Sequence, residues 1–151
     1  MSCAIDVNIL LYASDRESRF ALSAQELLSQ LASGREPLFV AWSTIMAYLR
    51  ISTHGSIFAH PLAPEEAMSN VEALIRLPHV RVLAEEEGFW DSYCEVVRDV
   101  PARGNLVSDA HLAALLLQHG VNVLYTNDRD FRKFDFLKVR NPFERSRRIG
   151  D

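Results

Sequence analysis

The segment Cys3–Tyr12, with the sequence CAIDVNILLY, is the most informative part of this chain. It is a short apolar run interrupted by one carboxylate, Asp6, and one amide, Asn8. Such a run near the start of a small chain predicts a central strand that is buried on both faces. Because a carboxylate in a buried strand is costly unless it is paired or bound to a cation, we expect Asp6 to find its partners elsewhere in the chain.

The composition indicates an ordinary globular protein of one domain that is large enough to bury a core. The chain has 151 residues, of which 48% are hydrophobic and 24% are charged. Its formal net charge of −4 argues against a generally basic nucleic-acid-binding protein, although a local patch or a bound metal can outweigh that value. Cys3 and Cys94 show neither zinc-site nor disulfide spacing. With no signal-peptide pattern and no apolar run of membrane length, we expect a cytoplasmic protein that contacts no membrane.

Segments with the character of strands and helices alternate along the chain. After the first segment, short apolar runs predict strands at 37–41, 80–83, 121–125 and 137–139. Apolar residues at helical spacing predict helices at 21–33, 42–53, 64–77, 89–98 and 109–118. This alternation predicts a three-layer α/β/α domain with a parallel sheet of four or five strands and helices on both faces.

Three aspartates fall where the carboxyl ends of predicted strands should lie. Asp6 lies inside or just past the first strand, Asp128 follows the strand at 121–125, and Asp109 begins the last predicted helix. Because sites in such sheets form at the carboxyl edge, we expect the three carboxylates within roughly 4 to 8 Å of one another, the reach of one or two cations.

Clustered carboxylates repel one another, so this arrangement requires a hard divalent cation such as Mg²⁺ or Mn²⁺. A cation held by oxygen ligands lowers the pKa of a bound water and neutralises charge on a phosphate group. The pattern therefore favours phosphodiester hydrolysis, for which no serine or cysteine nucleophile is needed.

Three motifs stand in an order and spacing that resemble a known family. They are DVN at 6–8, GNLVSDAHLAA at 104–114 and TNDRDF at 126–131. Together they resemble the PIN-domain nucleases, and most closely the VapC-type toxins of bacterial toxin–antitoxin modules. The segment LRISTH at 49–54 is similar to a VapC subgroup that is common in mycobacteria.

The resemblance implies a Mg²⁺- or Mn²⁺-dependent endoribonuclease that cuts structured RNA, often tRNA or rRNA, and that a cognate VapB-type antitoxin inhibits. It assigns metal binding to Asp6, Asp109 and Asp128. Asp130 joins these three as a catalytic residue, with Asn8, Thr126 and Asn127 in supporting positions.

One position departs from the family pattern. PIN nucleases usually carry a Glu on the helix that here spans 42–50, but the flanking apolar residues place Ala47 at or near that position. No acidic residue occurs between Phe39 and Pro64. The alternative to a toxin nuclease is therefore a PIN module with weakened catalysis that acts by binding RNA or a partner.

Other interpretations are weaker but stay open for single residues. A haloacid-dehalogenase-like phosphatase would need an aspartate where Asn8 stands. A receiver-like module would need paired acids near the first strand, which this chain lacks. Taken singly, Asp6, Asp109 and Asp128 could each be structural, since aspartate is common in caps, in first helical turns and in polar turns. We expect His111 to pack or cap rather than to act as a base.

We expect the PIN-like domain to span 1–143 and a basic C-terminal tail to span 144–151. The tail contains Arg145, Arg147 and Arg148, which are candidates for contact with RNA phosphates. The apolar helical faces at 21–31 and 42–51 exceed what one small sheet must cover, so we also expect a symmetric homodimer. An antitoxin segment should wrap the surface, and one of its arginines should reach the acidic pocket.

Overall fold

A computed structural model of the chain describes residues 2–144. The predicted basic tail lies outside the described residues except for Glu144. Among residues 2–144, no helix has the length and apolar character that a membrane crossing would need. The elements in chain order are β1 Cys3–Ile5, α1 Val7–Ser14, α2 Ala21–Ser33, β2 Leu38–Ala41, α3 Trp42–Ser52, α4 Pro64–Ile75, β3 Val80–Leu83, α5 Phe89–Val97, α6 Asn105–Gln118, β4 Val123–Tyr125, a 3-10 helix Arg129–Lys133 and β5 Lys138–Arg140.

The five strands form one parallel sheet in the order β3-β2-β1-β4-β5. β1 lies at its centre, where Ala4 pairs with Phe39 of β2 on one side and with Leu124 of β4 on the other. The predicted three-layer fold with a parallel sheet is confirmed, and the number of strands is five.

Side chains that alternate along the strands supply two separate cores. Cys3 and Ile5 pack in a cluster with residues of α1, α2, α3 and α4. Ala4 and Leu124 pack in a second cluster with residues of α5, α6 and the 3-10 helix. Because successive strand residues point to opposite faces, the three residues of β1 are enough to anchor a helical layer on each side.

The prediction that Cys3–Tyr12 forms one strand is wrong. β1 ends at Ile5, and α1 begins at Val7. Asp6 is the N-cap of this helix, and its Oδ1 accepts a hydrogen bond from the backbone N–H of Val7 at 2.7 Å. Asp is favoured at this position because its carboxylate satisfies a free N–H at the start of a helix. A continuous apolar run does not by itself distinguish a buried strand from a buried helix.

The predicted start of the last long helix is also wrong. α6 begins at Asn105 rather than at Asp109, which therefore lies in the second turn of the helix. Gly104 precedes it with φ +55° and ψ −128°, a backbone conformation that residues with a Cβ rarely adopt. The remaining element boundaries differ from prediction by a few residues at most, which is the usual uncertainty of helix and strand ends.

The Gly104→Ala variant should be less stable than the wild type. A Cβ at this position has no close neighbours, so the cost comes from backbone strain alone. We expect about 1–3 kcal/mol of lost stability, with Tm falling by about 2–4 °C for each kcal/mol. Gly55→Ala is the matched control, because a Cβ there also meets open space but the backbone φ is not in the positive region. Thermal unfolding of both variants tests this; equal Tm values would show that Gly104 is not strained.

Candidate active site

The site lies at the carboxyl edge of the sheet, between β1 and β4. From this pair, β2 and β3 extend to one side of the sheet and β5 extends to the other. Ligands of open α/β sheets bind in the crevice that such a reversal leaves at the strand ends. Asp6 directly follows β1 and Thr126 directly follows β4, and the N–H of Asp6 donates to the carbonyl of Tyr125 at 3.0 Å.

The carboxylate of Asp6 is held by three hydrogen bonds. Besides the bond from Val7 to Oδ1, Oδ2 accepts from the Thr126 hydroxyl at 2.8 Å and from Asn8 Nδ2 at 3.3 Å. Asp6 is only 9% exposed. Burial raises the pKa of its carboxyl, the bonds from Thr126 and Val7 lower that pKa, and the nearby charge of Asp128 raises it.

The hydroxyl of Thr126 connects Asp6 to the loop that follows β4. It donates to Asp6 and accepts from Asn8 Nδ2 at 3.0 Å and from the N–H of Asp128 at 3.0 Å. Asn8 Oδ1 in turn accepts from the N–H of Asn127 at 3.2 Å. The three residues predicted to support the site, Asn8, Thr126 and Asn127, therefore lie in one hydrogen-bonded network with Asp6 and Asp128.

Two further residues extend this network, and the sequence did not reveal them. Asn127 Nδ2 donates to the Tyr12 hydroxyl at 3.1 Å, and Asn141 Nδ2 donates to Asn127 Oδ1 at 2.8 Å. Tyr12 also packs edge-on against Phe143 at a ring-centroid distance of 5.2 Å. No local motif marks either residue, because Tyr12 belongs to an apolar run and Asn141 lies 14 positions beyond Asn127.

Three carboxylates converge beside this network. Asp109, Asp128 and Asp130 each offer an oxygen, and the three oxygens lie within 4.8 Å of one another. Asp128 also caps the 3-10 helix, because its Oδ1 accepts from the N–H of Asp130 at 2.9 Å. The structure thus brings two of the predicted metal ligands together with Asp130. Asp6, the other predicted ligand, lies outside this group of three, although its charge still acts on Asp109.

The electrostatics of the group show how closely these charges crowd one another. Burial, together with the charges of Asp128, Asp6 and Asp130, raises the pKa of Asp109 to about 6, and the charge of Lys133 partly opposes that rise. A cluster of oxygen donors that repel one another fits a hard divalent cation such as Mg²⁺ or Mn²⁺, which would remove the repulsion.

The remaining residues singled out from the sequence are not members of this group of carboxylates. Ala47 is partly buried in α3, a helix whose sequence contains no acid. His111 Nε2 lies 2.5 Å from Glu85 Oε1, and its ring packs edge-on against Phe89 at 5.4 Å. These contacts agree with a packing role for His111, two residues beyond Asp109.

Asp109→Asn should stabilise the metal-free protein at neutral pH. The folded-state pKa of Asp109, about 6, exceeds the value of about 3.9 expected in the unfolded chain. Ionisation therefore costs the wild type stability as the pH rises from about 4 through about 6, and the neutral amide avoids this cost. Because Asp109 is partly exposed, we discount the effect to about 1 kcal/mol, or about 2–4 °C in Tm at pH 7.5.

The measurement is the Tm of the wild type and of Asp109→Asn in the presence of a chelator at pH 7.5 and at about pH 3.5. At the lower pH the difference in Tm between the two proteins should vanish. Glu26→Gln, on the exposed surface of α2, is the control and should change neither value. A lower Tm for Asp109→Asn at pH 7.5 would contradict the account of mutual repulsion.

Comparison with known sequences identifies close relatives. The PIN domain family matches residues 3–137 of this chain. Ribonuclease VapC48 of Mycobacterium tuberculosis is 42% identical over 143 residues, which cover 95% of this chain and 99% of that protein. VapC ribonuclease Mb2897 of Mycobacterium bovis is 34% identical over 140 residues, which cover 93% of this chain and 95% of that protein.

Solved structures of lower identity share the fold. VapBC2 from Rickettsia felis, bound to a DNA fragment from its promoter, matches with a TM-score of 0.67 and 16% identity, covering 93% of this chain and 98% of that one. Mycobacterium tuberculosis VapC20, described as a Sarcin-Ricin loop cleaving toxin, matches with a TM-score of 0.64 and 18% identity. The match covers 92% of this chain and 99% of that one. The PIN family match covers most of the fold, and the mycobacterial relatives match over nearly their whole length. The chain therefore belongs to the PIN-domain family and to its VapC group.

Proposed function

We propose that this protein is a metal-dependent endoribonuclease, the toxin of a type II toxin–antitoxin system, which hydrolyses phosphodiester bonds in structured RNA. The observation that carries the proposal is the group of three carboxylates at the crevice between β1 and β4, on a VapC fold. The ribonuclease names of the mycobacterial relatives support RNA as the substrate. The substrate class is tRNA or rRNA, and the cytoplasm is where the protein would meet it.

Asp109, Asp128 and Asp130 are the residues that would hold Mg²⁺ or Mn²⁺, and the charge of Asp6 acts on this group through Asp109. An ion bound there would supply an activated water and would neutralise charge on the scissile phosphate. The chain itself supplies a rigid support. Asp6, fixed by the bonds from Thr126 and Val7, adds negative charge to the pocket, and the Thr126 hydroxyl fixes the backbone that carries Asp128. Such partners hold ligands in the geometry that an ion requires.

A second function deserves a test because α3 contains no acid and has Ala47 where the family usually has Glu. With one carboxylate fewer than the family pattern, the site would bind a cation more weakly. The protein would then be a PIN module that acts by binding RNA or a partner. The two functions differ in whether RNA chains are broken.

We also propose a VapB-type antitoxin as partner. A groove of about 590 Å³ lies between α1, α2, α3 and α4, and most of its surface is apolar. At its floor the Tyr48 hydroxyl bonds with Ser14 Oγ at 2.8 Å and accepts from Asn70 Nδ2 at 3.0 Å. An amphipathic segment suits such a groove, and solved relatives of this fold include VapBC complexes. An arginine of the same antitoxin would pair well with the acidic group.

We further propose a symmetric homodimer. Trp42 and Met46 lie one turn apart on α3, and 45% and 53% of their respective surfaces are exposed. Large apolar side chains at helical spacing on an open face are typical of interfaces between copies of a chain.

Asp109→Asn and Asp128→Asn should each reduce RNA cleavage by more than about 100-fold. Even the removal of a residue that only hydrogen-bonds to a metal ligand lowers metal affinity or activity by about 10–100-fold. Each change keeps the shape of the side chain and deletes a charge that would hold the cation. The measurement is the sequencing of RNA 5′ ends after incubation of total RNA with protein and Mn²⁺, with Glu26→Gln as the control. If the wild type cleaves no RNA at saturating Mn²⁺, and Asp6→Asn still arrests growth on expression, the protein acts by binding.

Ala73→Glu should weaken antitoxin binding by at least about 10-fold, since it places a charge in an apolar groove that a partner would have to desolvate. Ala73 is exposed on α4 and lines the groove, so the change should leave folding intact. Ala59→Glu, at an exposed position outside the groove, is the matched control. Calorimetric titration with the product of the neighbouring gene measures both; equal affinities would exclude this groove as the antitoxin site.

A further inference from the structure

The 3-10 helix carries a basic residue next to the acidic group. Lys133 lies one turn beyond Asp130, and its Nζ is 3.2 Å from Asp130 Oδ1. Phe131, which is 1% exposed, fixes the same helix to the core. Lys133 therefore extends from an anchored element rather than from a free loop, and its position relative to the carboxylates is determined by the fold.

The charge of Lys133 acts on another carboxylate besides that of Asp130, its direct partner. It opposes the rise in the pKa of Asp109, so its ammonium acts on a second member of the acidic group. In the metal-free protein, Lys133 thus partly neutralises the same carboxylates that would hold a divalent cation.

The ion pair itself has little structural value. The side chains of Lys133 and Asp130 are each 54% exposed, and exposed pairs of this kind add little to folding stability. Lysine has a long flexible stem and a compact charge, so its ammonium can leave one oxygen for another nearby without disturbing the helix. Lysine is also a common ligand for phosphate groups.

We propose that Lys133 is a substrate-binding residue, which pairs with Asp130 while the acidic group holds no cation and binds a phosphate oxygen of RNA once a cation has replaced it there. This inference rests on the proposed function, because it takes a phosphodiester as the ligand. A divalent ion held by Asp109, Asp128 and Asp130 would balance the charge that Lys133 balances in its absence. The ammonium is then left beside the place where the anionic phosphate must lie.

Neighbouring basic residues differ from Lys133 in their contacts. Arg132 on the same helix pairs with Glu144 at 3.1 Å. Lys138 lies on β5, where its N–H bonds to the carbonyl of Asn122 at the amino end of β4. Lys138 pairs with Val123, the first residue of β4, so it lies toward the amino end of that strand and provides the matched control.

The first test compares Lys133→Gln, Lys133→Arg and Lys138→Gln in binding a fluorescein-labelled RNA hairpin in Ca²⁺, with the integrity of the RNA checked on a gel. For Lys133→Gln we expect about 3–10-fold weaker binding and a salt dependence that is shallower by about 0.7 in log K against log[salt], the loss of one phosphate contact. Lys133→Arg should restore most of the affinity, and Lys138→Gln should match the wild type.

The second test measures Mn²⁺ affinity without RNA by calorimetry. Lys133→Gln should bind Mn²⁺ as tightly as the wild type or more tightly, because the ammonium and the ion compete for Asp130. Lys133→Gln and Lys138→Gln having the same salt slope would overturn the proposal. So would a parallel loss of Mn²⁺ and RNA affinity, which would assign Lys133 to the metal site alone.

These outcomes separate the inference from the function on which it rests. If the wild type cleaves RNA but Lys133→Gln binds it normally, only the role of Lys133 is wrong. If RNA binding depends on Lys133 but no variant cleaves RNA, the role of Lys133 stands and the nuclease proposal fails.

Discussion

The hydrogen bond from the Thr126 hydroxyl to the Asp6 carboxylate, 2.8 Å long, is the contact on which the site depends. It joins the ends of two neighbouring strands that are 120 residues apart in the chain. The same hydroxyl accepts from the N–H of Asp128, so the loop that carries the acidic group is fixed relative to β1. Through this one buried hydrogen bond, the positions of the strands determine the geometry of the pocket.

The crowded carboxylates of the pocket carry an electrostatic cost that a bound divalent cation would remove. Burial and like charges raise the pKa of Asp109, while the fold still holds its carboxylate within 4.8 Å of Asp128 and Asp130. Natural sequences accept such local conflicts mainly where function requires them. Lys133 partly balances these charges in the metal-free protein, and the exposure of its side chain would let it move if a divalent cation were bound.

Much of the fold was predictable from the sequence, because alternating apolar runs and helical patterns determine a parallel α/β sheet; β3 falls on the predicted residues 80–83. The end of β1 was not predictable, because the apolar run continues from the strand into α1 without a change of pattern. The convergence of Asp109 and Asp128 was predictable from the strand ends, but Asp6 lies outside that group and acts as the N-cap of α1. Tyr12 and Asn141 reach the site only through tertiary contacts.

We infer that the carboxylates of Asp109, Asp128 and Asp130 form one divalent-cation site. The most direct measurement is anomalous diffraction from crystals of the protein soaked in Mn²⁺. We predict a manganese peak bound by oxygens of these three side chains, with the Asp6 carboxylate still bonded to Thr126. A fully occupied peak elsewhere, or none among these three carboxylates at saturating Mn²⁺, would contradict it.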